Sequence, residues 1–134
     1  MSTPALQLGW VIVYVPDPDA ALALYEAAFG AQRSFLTPDG SYGQLDTGAT
    51  TLAFASDELA ASNLPDGFER LGPDRRPSNI ELCFVSADVD GALATAIAAG
   101  CTLLAEPKFK PQGQTVAYVR DPWGTLIELA TPLG

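Results

Sequence analysis

The sequence predicts an α+β fold made of two βαβββ modules with mixed sheets, and three observations predict it. First, the stretches "YVPDPDAALALYEAAFG" (14–30) and "FVSADVDGALATAIAAG" (84–100) follow one plan. Each runs from an apolar strand through Asp-X-Asp and Ala-Leu-Ala into a helix that ends at glycine, the mark of an internal repeat. A shift of 71 residues lays Asp17 on Asp88, Asp19 on Asp90, Leu22 on Leu93 and Ala23 on Ala94. Second, "YGQLDTGATTLAFAS" (42–56) corresponds to "AYVRDPWGTLIELAT" (117–131), with Gly48 opposite Gly124. Third, each copy has one helix for four strands. A single helix covers one face of such a sheet, so the other face must pack on something or form a concave site.

The elements follow in order. Residues 7–15 are mostly β-branched and aromatic, which suits a strand. Asp17 or Asp19 can cap the helix that follows, whose first N–H groups need acceptors. Leu22, Tyr25 and Phe29 fall at helical spacing and form a buried stripe. Gly30 suits the left-handed stop after the helix. Strands are expected at 32–37, 42–46 and 50–55, separated by the "PDG" and "DTG" turns. The second copy predicts a strand at 79–86, a helix at 89–99 stopped by Gly100, and strands near 102–105, 114–120 and 125–131. Gly113 marks a hairpin or a bulge. The organisation is therefore one domain over 1–134: module one at 6–56, a linker at 57–78, and module two at 79–132. The linker is polar and rich in Pro, Gly, Asp and Ser, with one helical turn expected at 57–61. It reads as a linker or as a mobile loop that closes over a site or meets a partner.

Composition narrows the function. Lys and Arg number 7 against 16 Asp and Glu, a net charge of −9. That balance disfavours nucleic acid and anionic membrane surfaces, because there is no basic surplus to neutralise phosphates. No apolar run approaches the roughly 20 residues that span a bilayer. The start, "MSTPALQLGW", lacks the basic and apolar regions of a leader. Two cysteines do not build a disulfide framework, so a reduced, cytoplasmic protein is expected. The chain has no histidine, which excludes histidine general bases, Ser-His-Asp triads and imidazole metal ligands.

Strand residues alternate faces. Val11, Val13 and Val15 share the helix side of the first strand, and Leu8, Trp10, Ile12 and Tyr14 share the other. In the matching strand Ile80, Leu82 and Phe84 face the helix, opposite Asn79, Glu81 and Cys83. In the last strand Ile127 and Leu129 form one set, and Leu126, Glu128 and Ala130 the other. Two carboxylates, Glu81 and Glu128, thus share the non-helix face of module two. They are either the solvated side of a sheet or the lining of a site. Cys83 shares their face, but no histidine or nearby lysine activates it, so it reads as a buried, inert thiol. Cys101, after the helix stop, reads as packing. Tyr118 points either into the same face or against the helix. Arg75 and Arg76 read as a solvated basic spot. "PDGSYG" and "PQGQ" are turns and lack the lysine and spacing of a phosphate loop.

The closing stretch "YVRDPWGTLIELATP" and the paired Asp-X-Asp helix starts resemble the vicinal-oxygen-chelate superfamily. That superfamily includes glyoxalases, extradiol dioxygenases, fosfomycin-modifying enzymes and bleomycin-binding proteins. The resemblance covers nearly the whole chain. It implies paired βαβββ modules with cup-shaped sheets, paired within a chain or across a homodimer. It also implies a metal site in catalytic members, drawn from four strand positions that fall here on Trp10, near Leu52, on Glu81 and on Glu128. Trp10 and Leu52 offer no ligand. Glu81 and Glu128 alone could hold Mg²⁺ or Mn²⁺ weakly and would make a poor Zn²⁺ site, so no metal is favoured. The expected function is metal-independent binding of an aromatic or cationic small molecule. Trp10, Tyr14, Cys83, Tyr118, Glu81 and Glu128 are its candidate contacts. The alternative is a glyoxalase-like lyase or isomerase in which Glu81 and Glu128 hold a metal or one of them is the general base.

Overall fold

A computed structural model describes residues 3–133, so the first two residues of the stretch read for a leader and the last residue of the 1–134 domain lie outside it. The elements are β1 (Trp10–Val15), α1 (Pro18–Phe29), β2 (Gln32–Leu36), β3 (Tyr42–Asp46), β4 (Thr51–Ser56), α2 (Asp57–Asn63), β5 (Glu81–Val85), α3 (Val89–Ala99), β6 (Thr102–Phe109), β7 (Thr115–Arg120) and β8 (Leu126–Ala130). They form two four-stranded mixed sheets of one topology, β1-β4-β3-β2 and β5-β8-β7-β6. In each, the outer pair β1–β4 or β5–β8 is parallel and the other pairs are antiparallel. The chain divides into two compact units. One comprises 1–23 and 31–68, and the other 24–30 and 69–134.

The repeated helix starts have the same cause. Asp17 Oδ1 accepts from the backbone N–H groups of Asp19 and Ala20 at 3.1 and 3.4 Å, and Asp88 Oδ1 accepts from Gly91 N–H at 3.0 Å. Each aspartate satisfies donors that have no partner within the first helical turn. Gly30 and Gly100 follow the two helices with φ of 67° and 119°, as the sequence predicts. In the first unit Val15, Leu22, Leu45 and Phe54 are fully covered. Gly43 makes that packing possible, because a methyl there would stand 2.5 Å from Leu22 Cδ1 and 3.2 Å from the Phe35 carbonyl oxygen. In the second unit α3 packs on β6, β7 and β8, over Ala96, Val119, Ile127 and Leu129.

Several boundaries differ from expectation. The first strand begins at Trp10, although the Gly9 carbonyl still accepts from Thr51 N–H at 2.8 Å. Ile80 precedes β5 and is 69% exposed, so it does not join Leu82 and Phe84 on the helix side. β6 continues to Phe109 through two irregularities in its pairing with β7. Bulges of this kind break periodicity, which is why the sequence shows only its first half. Gly113 closes the β6–β7 hairpin with φ 95°. The expected helical turn at 57–61 is the longer α2, capped by Ser56 Oγ accepting from Leu59 N–H at 3.1 Å.

The segment after α2 is held by the turn before β8. Arg120 is only 7% exposed. Its guanidinium donates to the carbonyls of Gly72 (3.0 Å), Pro73 (3.3 Å) and Arg75, and to Gly124 within its own turn (2.9 and 3.1 Å). Gly124 leaves room for this, since a side chain there would meet Gly72 O at 2.8 Å. Beside it, Asp121 is 1% exposed and accepts from Trp123 N–H (3.0 Å), Thr125 N–H (2.9 Å) and the Tyr25 hydroxyl (2.8 Å). Burial, and then the Asp121 charge, hold the Tyr25 phenol well above its usual range, so it stays a donor. "RDPWG" is therefore a tied corner whose two charged residues are spent on the backbone and on Tyr25.

Candidate functional site

Register decides which side chains share a face, and in the second unit it brings the predicted set together. Cys83 lies opposite Glu128 across β5–β8, and Tyr118 lies opposite Glu128 across β8–β7. Glu81 is one step along the same face of β5. Leu82 and Phe84 pair with Ile127 and Leu129 on the helix side. The Glu128 carboxylate is close enough to Glu81, to the Cys83 thiol and to the Tyr118 hydroxyl for its charge to act on all three. Tyr118 thus faces the carboxylates, which resolves its two readings.

The electrostatics follow from this crowding. Local burial, and then Glu128, raise the Glu81 carboxyl above its ordinary value. A neighbouring like charge disfavours the charged form, which is why Glu128 adds to the upward shift. The Tyr118 phenol is raised by burial and then by Glu128 and Glu81. The Cys83 thiol is pushed up to about 11, by desolvation first and Glu128 second. It is therefore a protonated donor at neutral pH and not a nucleophile. The expectation that Cys83 is a buried thiol is corrected here: its residue is exposed. It is inert because local desolvation of the sulfur, and then the Glu128 charge, keep the thiol protonated, although the residue itself is not enclosed. Cys101 is buried, as expected of packing.

The open face of the first unit is built differently. Trp10 Nε1–H donates to Gln44 Oε1 at 2.9 Å, and the Tyr42 hydroxyl donates to the same oxygen at 2.8 Å. Trp10 is on β1 and Gln44 on β3, with β4 between them. The two side chains therefore meet over β4, where Ala53 pairs with both Ile12 and Gln44 and is fully covered. Tyr14, Ala55 and Tyr42 form the next row. Phe68 meets Tyr14 edge to face at 4.9 Å, and Phe35 lies 6.0 Å from Tyr42. Trp10 and Phe35 remain 56% and 44% exposed, so this is an open aromatic surface. Neither Gln44 nor Tyr42 was among the expected contacts. Their period-two spacing in "YGQLD", alternating with Gly43 and Leu45, is the signal that places them on the face of Trp10.

The family position placed near Leu52 is also corrected. Leu52 pairs with Val11 and is 7% exposed, on the helix side. Ile12–Ala53 matches Cys83–Glu128, so Ala53 is the counterpart of Glu128. The stretch from Gly48 to that position is one residue longer than the stretch from Gly124, and one residue reverses the face. Ala53 brings no donor, and Gln44 Oε1 is already engaged twice. Among the described residues no three His, Cys, Asp or Glu side chains are grouped to hold a metal. Glu81 and Glu128 are thus the carboxylates of this face that could meet Mg²⁺ or Mn²⁺, with water completing a shell of about six oxygens.

A cavity of about 350 Å³ in the second unit is separate from these faces and is lined by Phe29, Phe84, Ser86, Asp88, Thr95 and others. Its polar side chains are already used: Ser86 and Asp88 in turn and cap bonds, and Thr95 on the Gly91 carbonyl at 3.1 Å.

Comparison with known proteins agrees with this architecture. A family model described as Glyoxalase/Bleomycin resistance protein/Dioxygenase superfamily matches residues 7–129. The chain belongs to that superfamily. A glyoxalase/bleomycin resistance protein/dioxygenase family enzyme from Burkholderia phytofirmans PsJN is similar, with 27% identity and a TM-score of 0.81 over 96% of this chain and 100% of that one. A glyoxalase-related enzyme from Fulvimarina pelagi has 21% identity and a TM-score of 0.82 over 96% and 89%. A lactoylglutathione lyase from Agrobacterium tumefaciens has 23% identity and a TM-score of 0.68 over 96% and 95%. The last two show the shared fold alone. No curated protein matches the chain. Among the described residues no helix is long and apolar enough to cross a membrane.

Proposed function

We propose that this chain is a metal-independent small-molecule-binding member of its superfamily, acting as a cytoplasmic homodimer. The observation that carries the reading is the pair of unequal faces. Where the second unit has Glu128 with Glu81, the matching positions of the first are Ala53 and Trp10, whose indole is tied to Gln44. An exposed indole and Tyr14 suit a flat ring, by stacking or by attraction to a cation. The Glu128 carboxylate, with Cys83 and Tyr118 beside it as donors, suits an ammonium or another donor group on a ligand. Protein purified without chelators should carry no stoichiometric divalent metal by elemental analysis; a metal ligated by both glutamates would sink the reading. N-methylquinolinium, as a flat cationic probe, should bind the wild-type chain and should bind the Glu128→Gln variant more weakly. Unchanged binding would leave Glu128 as a solvated charge.

One observation favours a second reading, a lyase or isomerase. The Glu81 carboxyl, raised above its ordinary value by local burial and then by Glu128, stands beside a second carboxylate, and such a pair can supply a general base for proton transfer beside a carbonyl. Lactoylglutathione in D₂O would then gain deuterium at its α carbon in the presence of the protein, and Glu81→Gln would abolish the gain. No incorporation above the protein-free rate would reject this reading.

A further inference from the structure

We propose that Gln44 is the specificity-determining residue of the aromatic face, selecting flat ring compounds that carry a hydrogen-bond acceptor such as a carbonyl. The inference rests on the small-molecule-binding reading and adds a ligand class to it.

A glutamine amide has one oxygen that accepts two hydrogen bonds and one nitrogen that donates two. Which end points where must be deduced from its neighbours. Here the neighbours leave one solution. An indole N–H can only donate, so the atom 2.9 Å from Trp10 Nε1 has to be oxygen. The Tyr42 hydroxyl takes the second place on that oxygen at 2.8 Å. Both acceptor positions are then filled, and the amide plane is held from two sides. The nitrogen is fixed by the same bonds. Among the described residues Gln44 Nε2 has no protein acceptor. Its pairing neighbours across β4 and β2 are Ala53 and Phe35, and neither side chain can supply one.

The face therefore has a polar character that its aromatic residues alone do not give it. Trp10 offers a half-exposed ring, and the fixed amide beside it offers N–H groups and no free acceptor. A ring that lies on the indole and carries a carbonyl gains a hydrogen bond from Nε2. A ring that carries nothing leaves those N–H groups without their water, a loss that makes polar sites selective. The same arrangement disfavours ligands whose polar group can only donate.

A matched pair of neutral probes tests this: 1-indanone, which has the carbonyl, and indane, which lacks it. The readout is the Trp10 indole N–H signal in NMR titrations, distinguished from Trp123 by a Trp123→Phe variant. Wild-type protein is expected to bind 1-indanone about tenfold more tightly than indane, the size of one hydrogen bond. Gln44→Glu keeps an oxygen for Trp10 and Tyr42 but removes both N–H donors. It should erase the preference, so that 1-indanone binds no more tightly than indane. Gln44→Met, which has no donor and no comparable acceptor, should also erase the preference, and in addition should move the indole signal in the free protein. If both probes shift the Trp10 signal with equal affinity, or if the preference survives either substitution, the amide merely ties down the indole and the proposal fails while the binding face stands. If neither probe moves the Trp10 signal up to millimolar concentration, the binding face fails and the proposal falls with it.

Discussion

Glu128 is the residue on which the second unit's chemistry turns, and its neighbours show how. Glu81, Cys83 and Tyr118 are all raised, and Glu128 contributes to each after burial. Glu128→Gln should therefore bring the Cys83 pKa down from about 11 toward an ordinary thiol value, though not all the way, because desolvation remains. The pH dependence of iodoacetamide alkylation, read by peptide mapping at Cys83, measures this; an unchanged profile would mean the carboxylate does not act on the sulfur. Glu81 has a sign that can be checked independently. Its folded value lies above the usual 4.5, so the folded state holds the proton longer than the unfolded state does. Its contribution is fully present below about 4.5 and is lost as pH rises through the folded value. The Tm of Glu81→Gln minus that of wild type should thus increase from acid to neutral pH. The change is small, because the side chain is exposed and solvent screens it.

Among the elements, the corners and the β3–α1 contact carry the stability tests. Arg120→Met leaves four backbone carbonyls without their charged donor and should cost about 2–3 kcal/mol in denaturant unfolding. Amide exchange at residues 72–76 should speed up well beyond that of β7, because the guanidinium is what holds this segment. Equal protection in the variant would show that other contacts hold it. Gly43→Ala brings a methyl against Leu22 in a filled core and should cost about 1–3 kcal/mol. The paired variant Gly43→Ala with Leu22→Val, which clears the contact, should recover part of that loss. Simple helix capping explains why the Asp-X-Asp starts were readable from sequence alone. Each aspartate acts within three residues of itself, so no distant contact is needed.

For the whole molecule, the faces bear on metal response. Two carboxylates with a dissociation constant near millimolar would add only about 0.4 kcal/mol at millimolar Mn²⁺, a Tm change on the order of 1–2 °C. A thermal scan with and without Mn²⁺ should show no more than this; a rise of ten degrees would mean that a built metal site exists. Family membership is shown by the match over 7–129, but the superfamily shares a fold across many chemistries, and the site residues carry the functional reading.

The sequence by itself determined the duplicated βαβββ order, the helix caps and stops, and the shared face of Glu81, Cys83 and Glu128. All three depend on short-range regularities: a repeat, a cap within one turn, and a period of two along a strand. Tertiary structure decided what depends on pairing between distant strands. It placed Ala53 and not Leu52 at the counterpart of Glu128, because one extra residue before that position in β4 reverses the face. It turned Arg120 and Asp121 from turn residues into buried ties, since their partners lie as far as 48 and 96 residues away. It also aimed the Gln44 amide, whose orientation is set by an indole two strands across the sheet. No local pattern carries that information, because the donor that orients the amide reaches it only after the strands have paired.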